Sequence, residues 1–170
     1  MDKIIFDLRT PVKDDVKEYV KFLADPEISI WLEDEVQNEI NLLNIENYVL
    51  NGWFRWSIVH DKKFIGISGL DLIDFKKNVA RFFIVIGEKK LWGKGIGTEV
   101  IKKVVRHGFE KLNLRKICSD FLTPNEAVKI IHLKTGFKVD GAIRKESFRK
   151  EKWVDREILS IFKEELNYNL

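Results

Sequence analysis

Glycine occupies every second position of residues 93–97, between two stretches whose patterns differ sharply. Residues 79–86 before it are β-branched and aromatic, which predicts a strand, whereas residues 98–112 after it repeat apolar residues every three and four positions, which predicts a helix. Glycine lets a ligand approach the backbone closely, and the first N–H groups of a helix are unpaired at the positive end of its dipole. The sequence therefore predicts a strand, a glycine loop and a helix N-terminus that binds an anion, with Lys94 adding positive charge.

Several ligands compete for this loop. A tight turn without any ligand would need the glycines for backbone shape alone. A nucleoside triphosphate loop places lysine directly before serine or threonine, but Lys94 stands between glycines, which disfavours that ligand. A dinucleotide loop needs a third glycine where Val100 stands, although Asp120 lies at a suitable distance downstream. The loop pattern alone leaves the anion open.

The predicted elements indicate one α+β domain of 170 residues, with a central mixed, mostly antiparallel sheet of about seven strands and about four helices. We expect Thr123 to cap the last helix, Pro124 to start it and Gly136 to end it. The predicted strands are 4–8, 54–60, 64–73, 79–86, 116–121, 137–147 and 153–161, and the predicted helices before the last are 12–23, 34–50 and 98–112. Residues 25–33 are predicted as a loop.

Charge and cysteine content disfavour several classes of function. Thirty basic and 27 acidic residues leave a net charge of +3 that is spread along the chain, so we expect no nucleic-acid partner. The single cysteine, Cys118, has no second thiol for a disulfide or a metal site, which predicts no metal and a reducing, cytoplasmic location. The N-terminus lacks the apolar core of a signal peptide, and the longest apolar run, 82–86, is too short to span a membrane.

Residues 92–97, Trp-Gly-Lys-Gly-Ile-Gly, resemble the (Gln/Arg)-x-x-Gly-x-(Gly/Ala) motif of the GNAT superfamily of N-acetyltransferases, with Trp92 in place of glutamine or arginine. Thr98 and Glu99 follow as in the branch that resembles ribosomal-protein and spermidine N-acetyltransferases. The resemblance continues through residues 113–116, Asn125, residues 134–137, Gly141, Arg144 and Asp155.

This resemblance implies acetyl-CoA as cosubstrate and direct acetyl transfer, in a ternary complex, to a primary amine of a small molecule or a protein N-terminus. The CoA pyrophosphate would lie on the glycine loop, and the pantetheine arm would enter a V-shaped gap between the fourth and fifth strands. The N–H of Ile86 would donate to the thioester carbonyl. The expected cofactor-binding residues are Ile86, Trp92, Gly93, Lys94, Gly95, Ile96, Gly97, Thr98, Asn125 and Lys129.

The last predicted helix carries the candidate proton donor. Helical spacing places Asn125, Lys129 and His132 on one face. By resemblance, Asn125 holds the cofactor arm, and His132 stands where a tyrosine often protonates the leaving thiolate, so His132 and Ile86 are the expected catalytic residues. The alternative is a surface histidine, favoured by the negative end of the helix dipole.

Two residues common in the family are absent. Val128 stands in place of a serine on the last helix, and Phe82 replaces a glutamate on the strand before the loop. A non-catalytic acyl-CoA-binding module therefore stays an alternative. If the protein is an enzyme, its general base must be water or the carboxylate of a different acidic residue. Asp71, Asp120 and Glu33 are the candidate bases, with ordinary paired acids as the alternative.

The resemblance places the acceptor amine between the early helices and the last hairpin. The expected substrate-binding residues are Trp31, Glu33, Asp34, Asp71 and Asp120. Acidic groups beside an aromatic ring suit a cationic amine. Alternatively, Glu33 and Asp34 only stabilise the N-terminus of the following helix. A homodimer stays open.

Overall fold

The computed structural model describes residues 4–32 and 42–166. The strands are β1 (Asp7–Arg9), β2 (Phe54–His60), β3 (Lys63–Asp74), β4 (Val79–Ile86), β5 (Lys116–Leu122), β6 (Lys138–Arg149) and β7 (Lys152–Phe162). The helices are α1 (Lys13–Ala24), α2 (Pro26–Ser29), α3 (Leu42–Leu50), α4 (Ile96–Lys111) and α5 (Glu126–Lys134), with 3₁₀ turns at Lys89–Leu91 and Lys163–Glu165. The strands pair in the order β1-β2-β3-β4-β5-β7-β6, which confirms the predicted seven-stranded mixed sheet and the α+β class.

The described residues cluster into two compact units. The first contains the described residues up to Gly69 together with Ile84–Ile96, and the second contains Leu70–Phe83 and the described residues from Gly97 onward. The domain organisation of the whole chain, predicted above as a single domain, stays a prediction.

A buried carboxylate fixes the start of α1 in the first unit. Asp15 is 3% exposed and accepts hydrogen bonds from the Val12 backbone N–H at 2.9 Å and from Ser57 Oγ at 2.7 Å. The two terminal nitrogens of Arg9 donate to its oxygens at 2.6 and 2.8 Å. Burial raises the pKa of Asp15, but these hydrogen bonds outweigh that effect, so its net pKa lies below the ordinary value. The carboxylate therefore ties α1 to β1 and β2.

Two tight turns set the registers of the hairpins. Asp61 and Lys62, between β2 and β3, have φ of 47° and 62°. Lys150 and Glu151, between β6 and β7, have φ of 46° and 62°. Positive φ at both central residues is typical of the type I′ turn, whose twist matches that of the flanking strands. Both turns lie where the sequence predicts them.

The strand β6 lies at one end of the strand order and pairs irregularly with β7. The ladder breaks between Val139 and Gly141 and again between Ile143 and Ser147. Lys145, inside the second break, has φ of 52°, and its N–H donates to Asp155 Oδ1 at 2.8 Å. The breaks are β-bulges, which bend a strand locally.

The pairing of β4 with β5 is parallel and short. It runs over three residue pairs, from Val79 opposite Lys116 to Arg81 opposite Cys118, although both strands continue further. The parallel ladder is therefore shorter than either strand.

Several predicted boundaries differ from the observed ones. Strand β1 covers Asp7–Arg9 rather than residues 4–8. Helix α4 begins at Ile96 rather than at residue 98. The N-cap of α5 is Asn125, whose side chain accepts from the Val128 N–H at 3.4 Å, so Thr123 does not cap it and Pro124 precedes it. Asparagine is as good an N-cap as threonine, and either residue fits the sequence signal.

The predicted loop of residues 25–33 contains α2, for which Asp25 is the N-cap and accepts from the Glu27 N–H at 2.9 Å. Of the predicted helix over residues 34–50, α3 covers Leu42–Leu50, and residues 33–41 lie outside the described part of the chain.

Candidate functional site

The glycine loop, residues 92–97, leads directly into α4. Gly93 and Gly95 have φ of 72° and 85°, whereas Lys94 between them is not in the positive-φ region. Backbone that alternates in this way is typical of the loops in which successive N–H groups converge on an anion. A Cβ placed on either glycine would meet nothing within 4 Å. The glycines are therefore needed for their backbone conformation, and the space beside them is open to a ligand.

The residues at the start of α4 can contribute mainly through their backbone. Ile96, the first residue of α4, is 2% exposed, so its side chain is not available to a ligand. Gly97 and Thr98 follow in the first turn, whose N–H groups have no partner within the helix. Lys94 is exposed in the loop. This set of N–H groups and one ammonium fits a pyrophosphate group such as that of CoA.

The last residue of β4, Ile86, has a backbone N–H whose direction matters for the site. The N–H of Gly87 donates to the carbonyl of Ile65 on β3 at 2.9 Å. The Val85 carbonyl oxygen lies against Gly66 of β3, and in a trans peptide the N–H points opposite to the carbonyl, so the Ile86 N–H points away from β3. The ladder with β5 ends at Arg81 and does not reach this residue. Ile86 therefore presents its N–H on the strand edge where the resemblance implies a thioester carbonyl.

Trp92 contacts this same strand end. Its indole Nε1 donates to the Ile86 carbonyl at 2.8 Å, and the residue is 43% exposed. The sequence predicts Trp92 as a cofactor-binding residue, whereas its one polar side-chain atom bonds to the protein backbone.

Two contacts from the first helices reach the segment between β4 and the glycine loop. A Cβ on Gly87 would overlap the ring of Phe22 from α1, so glycine is required there for close packing. Lys89 Nζ pairs with Asp25 at 2.7 Å and with Glu27 at 3.1 Å, and these hydrogen bonds raise the pKa of Lys89. The segment is thereby fixed to α1 and α2.

His132 is buried, so its interpretation as a surface histidine is wrong. It is 1% exposed, with Nδ1 at 2.8 Å from the Val128 carbonyl and Nε2 at 2.8 Å from Ser119 Oγ. A carbonyl only accepts, so Nδ1 carries the proton and Nε2 accepts from Ser119. Burial lowers the pKa of His132 below its ordinary value. Three phenylalanine rings lie with centroids 4.9 to 6.3 Å from its own: Phe82, Phe121 and Phe137.

The other predicted residues of α5 have protein partners as well. Asn125 caps the helix through its side-chain oxygen. Lys129 Nζ pairs with Glu157 at 2.8 Å, and this hydrogen bond raises the pKa of Lys129. Helical spacing did not predict which face is buried, because Ile130 is 47% exposed while His132 lies in the core.

The candidate acids Asp71 and Asp120 are both paired with arginines. Asp71 Oδ1 accepts from Arg81 Nε at 3.2 Å. Asp120 is bound directly by Arg156, and Arg81 approaches its other oxygen at 3.7 Å. The structure therefore brings the two acids into one ion-pair cluster in the second unit, which agrees with the alternative of paired acids.

The predicted acceptor-binding residues are only partly described. Trp31 follows α2, and its N–H donates to the Ile28 carbonyl at 3.2 Å. Glu33 and Asp34 lie outside the described residues.

Two residues that were not predicted each lie against a predicted site residue, one in each unit. Ser119 holds Nε2 of His132, and no short-range pattern links the two. Gly66 lies within β3, and a Cβ there would overlap the Val85 carbonyl oxygen. An isolated glycine within a strand pattern signals such a close approach, so Gly66 could have been found from the sequence.

The comparisons with known proteins agree with this geometry. The family model described as an acetyltransferase (GNAT) domain matches residues 6–138. The chain belongs to the GNAT acetyltransferase family. It is 34% identical over 112 residues to the uncharacterized N-acetyltransferase YoaA of Bacillus subtilis, a match that spans 64% of this chain and 62% of YoaA. It is 26% identical over 167 residues to the uncharacterized N-acetyltransferase p20 of Bacillus licheniformis, over 93% of each protein.

Solved structures share the fold. The spermidine N-acetyltransferase from Vibrio cholerae, in complex with CoA and spermine, matches with a TM-score of 0.82 at 21% identity, over 94% of this chain and 96% of that chain. Family membership makes the reaction class acetyl transfer from acetyl-CoA to an amine, as the resemblance implied. Within residues 4–32 and 42–166, no helix is long and apolar enough to cross a membrane, and no three His, Cys, Asp or Glu residues are grouped to hold a metal.

Proposed function

We propose that this chain acetylates a small cationic amine by direct transfer from acetyl-CoA, with the Ile86 N–H as donor to the thioester carbonyl. The observation that carries the proposal is the alternation of backbone conformation at Gly93 and Gly95 ahead of α4. Acetyl-CoA supplies the acetyl group as an activated thioester. The loop N–H groups and Lys94 would hold its pyrophosphate, which fixes the other end of the cosubstrate relative to Ile86.

The Ile86 N–H would stabilise the negative charge that develops on the carbonyl oxygen during attack by the amine. Loss of one such donor typically lowers kcat by about 10²-fold to 10³-fold. No covalent acyl-enzyme is needed. Cys118 is a poor nucleophile, because burial raises the pKa of its thiol and leaves little thiolate at neutral pH.

Acetyl transfer requires two proton movements: the acceptor amine loses a proton, and the CoA thiolate that leaves takes one up from water. Asp71 and Asp120 already neutralise Arg81 and Arg156, so the proton of the acceptor amine passes to water in this proposal. The role of His132 as proton donor stays a prediction, and the burial of its ring with both nitrogens bonded argues against it. Its alternative role is to hold α5 against β5 through Ser119.

The class of acceptor rests on the sequence around α2 and on the structural likeness. Trp31 is followed by the acidic run of residues 33–35, which suits a cationic amine. A Vibrio cholerae enzyme with this fold is described with spermine bound. We take a polyamine as the first acceptor to test, with a peptide N-terminus as the second.

Assembly and location are parts of the same proposal. A Vibrio cholerae spermidine N-acetyltransferase with a TM-score of 0.77 to this chain is described as dodecameric. We expect self-association of this chain, at least to a dimer, which sedimentation velocity would detect. The lone cysteine favours a cytoplasmic location.

The deciding experiment measures release of CoA from acetyl-CoA with spermidine, with a short unblocked peptide, or with no amine. We expect release that depends on spermidine and exceeds the rate without an amine. If CoA is released with the peptide but not with spermidine, the acceptor is a peptide N-terminus rather than a polyamine. Tight binding of CoA without amine-dependent release from any acceptor would support the non-catalytic binding module instead.

A further inference from the structure

The peptide that joins Ile86 to Gly87 is held at both ends. Its carbonyl accepts from Trp92 Nε1 at 2.8 Å, and its N–H donates to the Ile65 carbonyl at 2.9 Å. A peptide group is planar, so fixing its oxygen and its hydrogen fixes the orientation of the whole plane.

The preceding peptide, between Val85 and Ile86, lies close against the backbone of Gly66 on β3. A Cβ on Gly66 would overlap the Val85 carbonyl oxygen and lie 3.0 Å from the Ile86 Cα. Backbone atoms of a strand cannot move aside as a flexible side chain can. Any residue other than glycine at position 66 would therefore displace this peptide.

The two contacts together determine the direction of one N–H. The dihedrals φ and ψ of Ile86 are the rotations that relate its two flanking peptide planes, and both planes are constrained by neighbouring residues. We propose that Trp92 and Gly66 are positioning residues that aim the Ile86 N–H, and that Trp92 joins this donor to the glycine loop. The proposal rests on the proposed role of Ile86 as donor to the thioester carbonyl.

Trp92 connects the proposed pyrophosphate site to the proposed thioester site. Trp92 begins the loop that would hold the pyrophosphate, and its indole holds the strand end that would face the acetyl group. A misplacement of about 1 Å between catalytic groups can lower a rate by about 10²-fold. Removal of the indole N–H should therefore impair the chemical step more than it impairs the binding of CoA.

The test is Trp92→Phe, which keeps an aromatic ring and removes the donor. We expect kcat to fall at least about 10-fold, while the Kd of CoA stays within about 2-fold. CoA lacks the acetyl carbonyl, so its Kd measures binding at the glycine loop without the hydrogen bond from the Ile86 N–H. The control is Trp53→Phe, at a tryptophan that is 86% exposed, for which we expect unchanged kcat and Kd. Gly66→Ala, where it folds, should also lower kcat without weakening CoA binding.

Two results would overturn the proposal. One is a wild-type kcat in Trp92→Phe. The other is a rise in the Kd of CoA as large as the fall in kcat, which would mean that the substitution disturbs the whole loop. A wild-type protein that binds no CoA would instead refute the proposed function, so the two failures are distinguished by the unmodified chain.

Discussion

Gly95→Ala tests whether the backbone conformation of the glycine loop creates the cosubstrate site. Gly95 has φ of 85°, a region that an L-residue other than glycine enters at a cost of about 1–3 kcal/mol. No atom lies within 4 Å of the added Cβ, so the substitution introduces conformational strain and no clash. The exposed loop can relax in the free protein, and binding must then restore the strained conformation. We expect the Kd of CoA to rise by about 5-fold to 150-fold.

Calorimetric titration with CoA measures this change, and thermal unfolding should show little effect because the loop is exposed. Gly141→Ala is the matched control, since Gly141 lies in β6, has no positive φ and would also place its Cβ in open space. A Gly95→Ala protein that binds CoA within about 2-fold of the wild type would show that the cradle at Gly93 and Gly95 does not hold the pyrophosphate.

Three further predictions concern the buried polar groups. Asp15→Asn should lower the free energy of unfolding by about 2–3 kcal/mol and Tm by about 4–12 °C, because the single oxygen of an amide cannot accept all the hydrogen bonds that the buried carboxylate accepts from Arg9, Val12 and Ser57. Asp14→Asn, at a side chain 92% exposed, should change Tm little. Burial lowers the pKa of His132, so as pH falls below 6.5 the unfolded chain binds a proton before the folded chain does, and the folded protein loses stability. Tm measured against pH should therefore decrease on the acid side of pH 6.5. The decrease should be smaller in His132→Phe. We expect kcat of His132→Phe within about 10-fold of wild type; a larger fall with intact CoA binding would restore the general-acid hypothesis.

The strands were predictable where a single local signal decides them. The bounds predicted for β2 and β4 agree with the structure, because each is a β-branched and aromatic run that ends at turn residues. The start of α4 was less predictable. Glycine disfavours a helix interior, yet Gly97 lies in the first turn, where the N–H groups need no partner within the helix.

The environment of His132 could not be predicted from local pattern. Its burial depends on Ser119 and the rings of Phe82 and Phe121, which come from β4 and β5, and on Phe137, which follows α5 and precedes β6. The pairing of Asp120 with Arg156 likewise depends on the register of β5 with β7. The glycine loop was predictable because its chemistry is that of its own backbone, which a short run of residues determines.

The bulges of β6 also bear on solubility. A strand at the end of a sheet presents unpaired N–H and C=O groups that another chain can extend. The β6 ladder is regular only over residues 138–139, 141–143 and 147–149, with Lys145 turned into the left-handed region between the last two. A straight strand from another molecule would stay in register with β6 for at most three residues at a time. The same irregularities that bend this hairpin therefore make its 12-residue strand a poor template for aggregation.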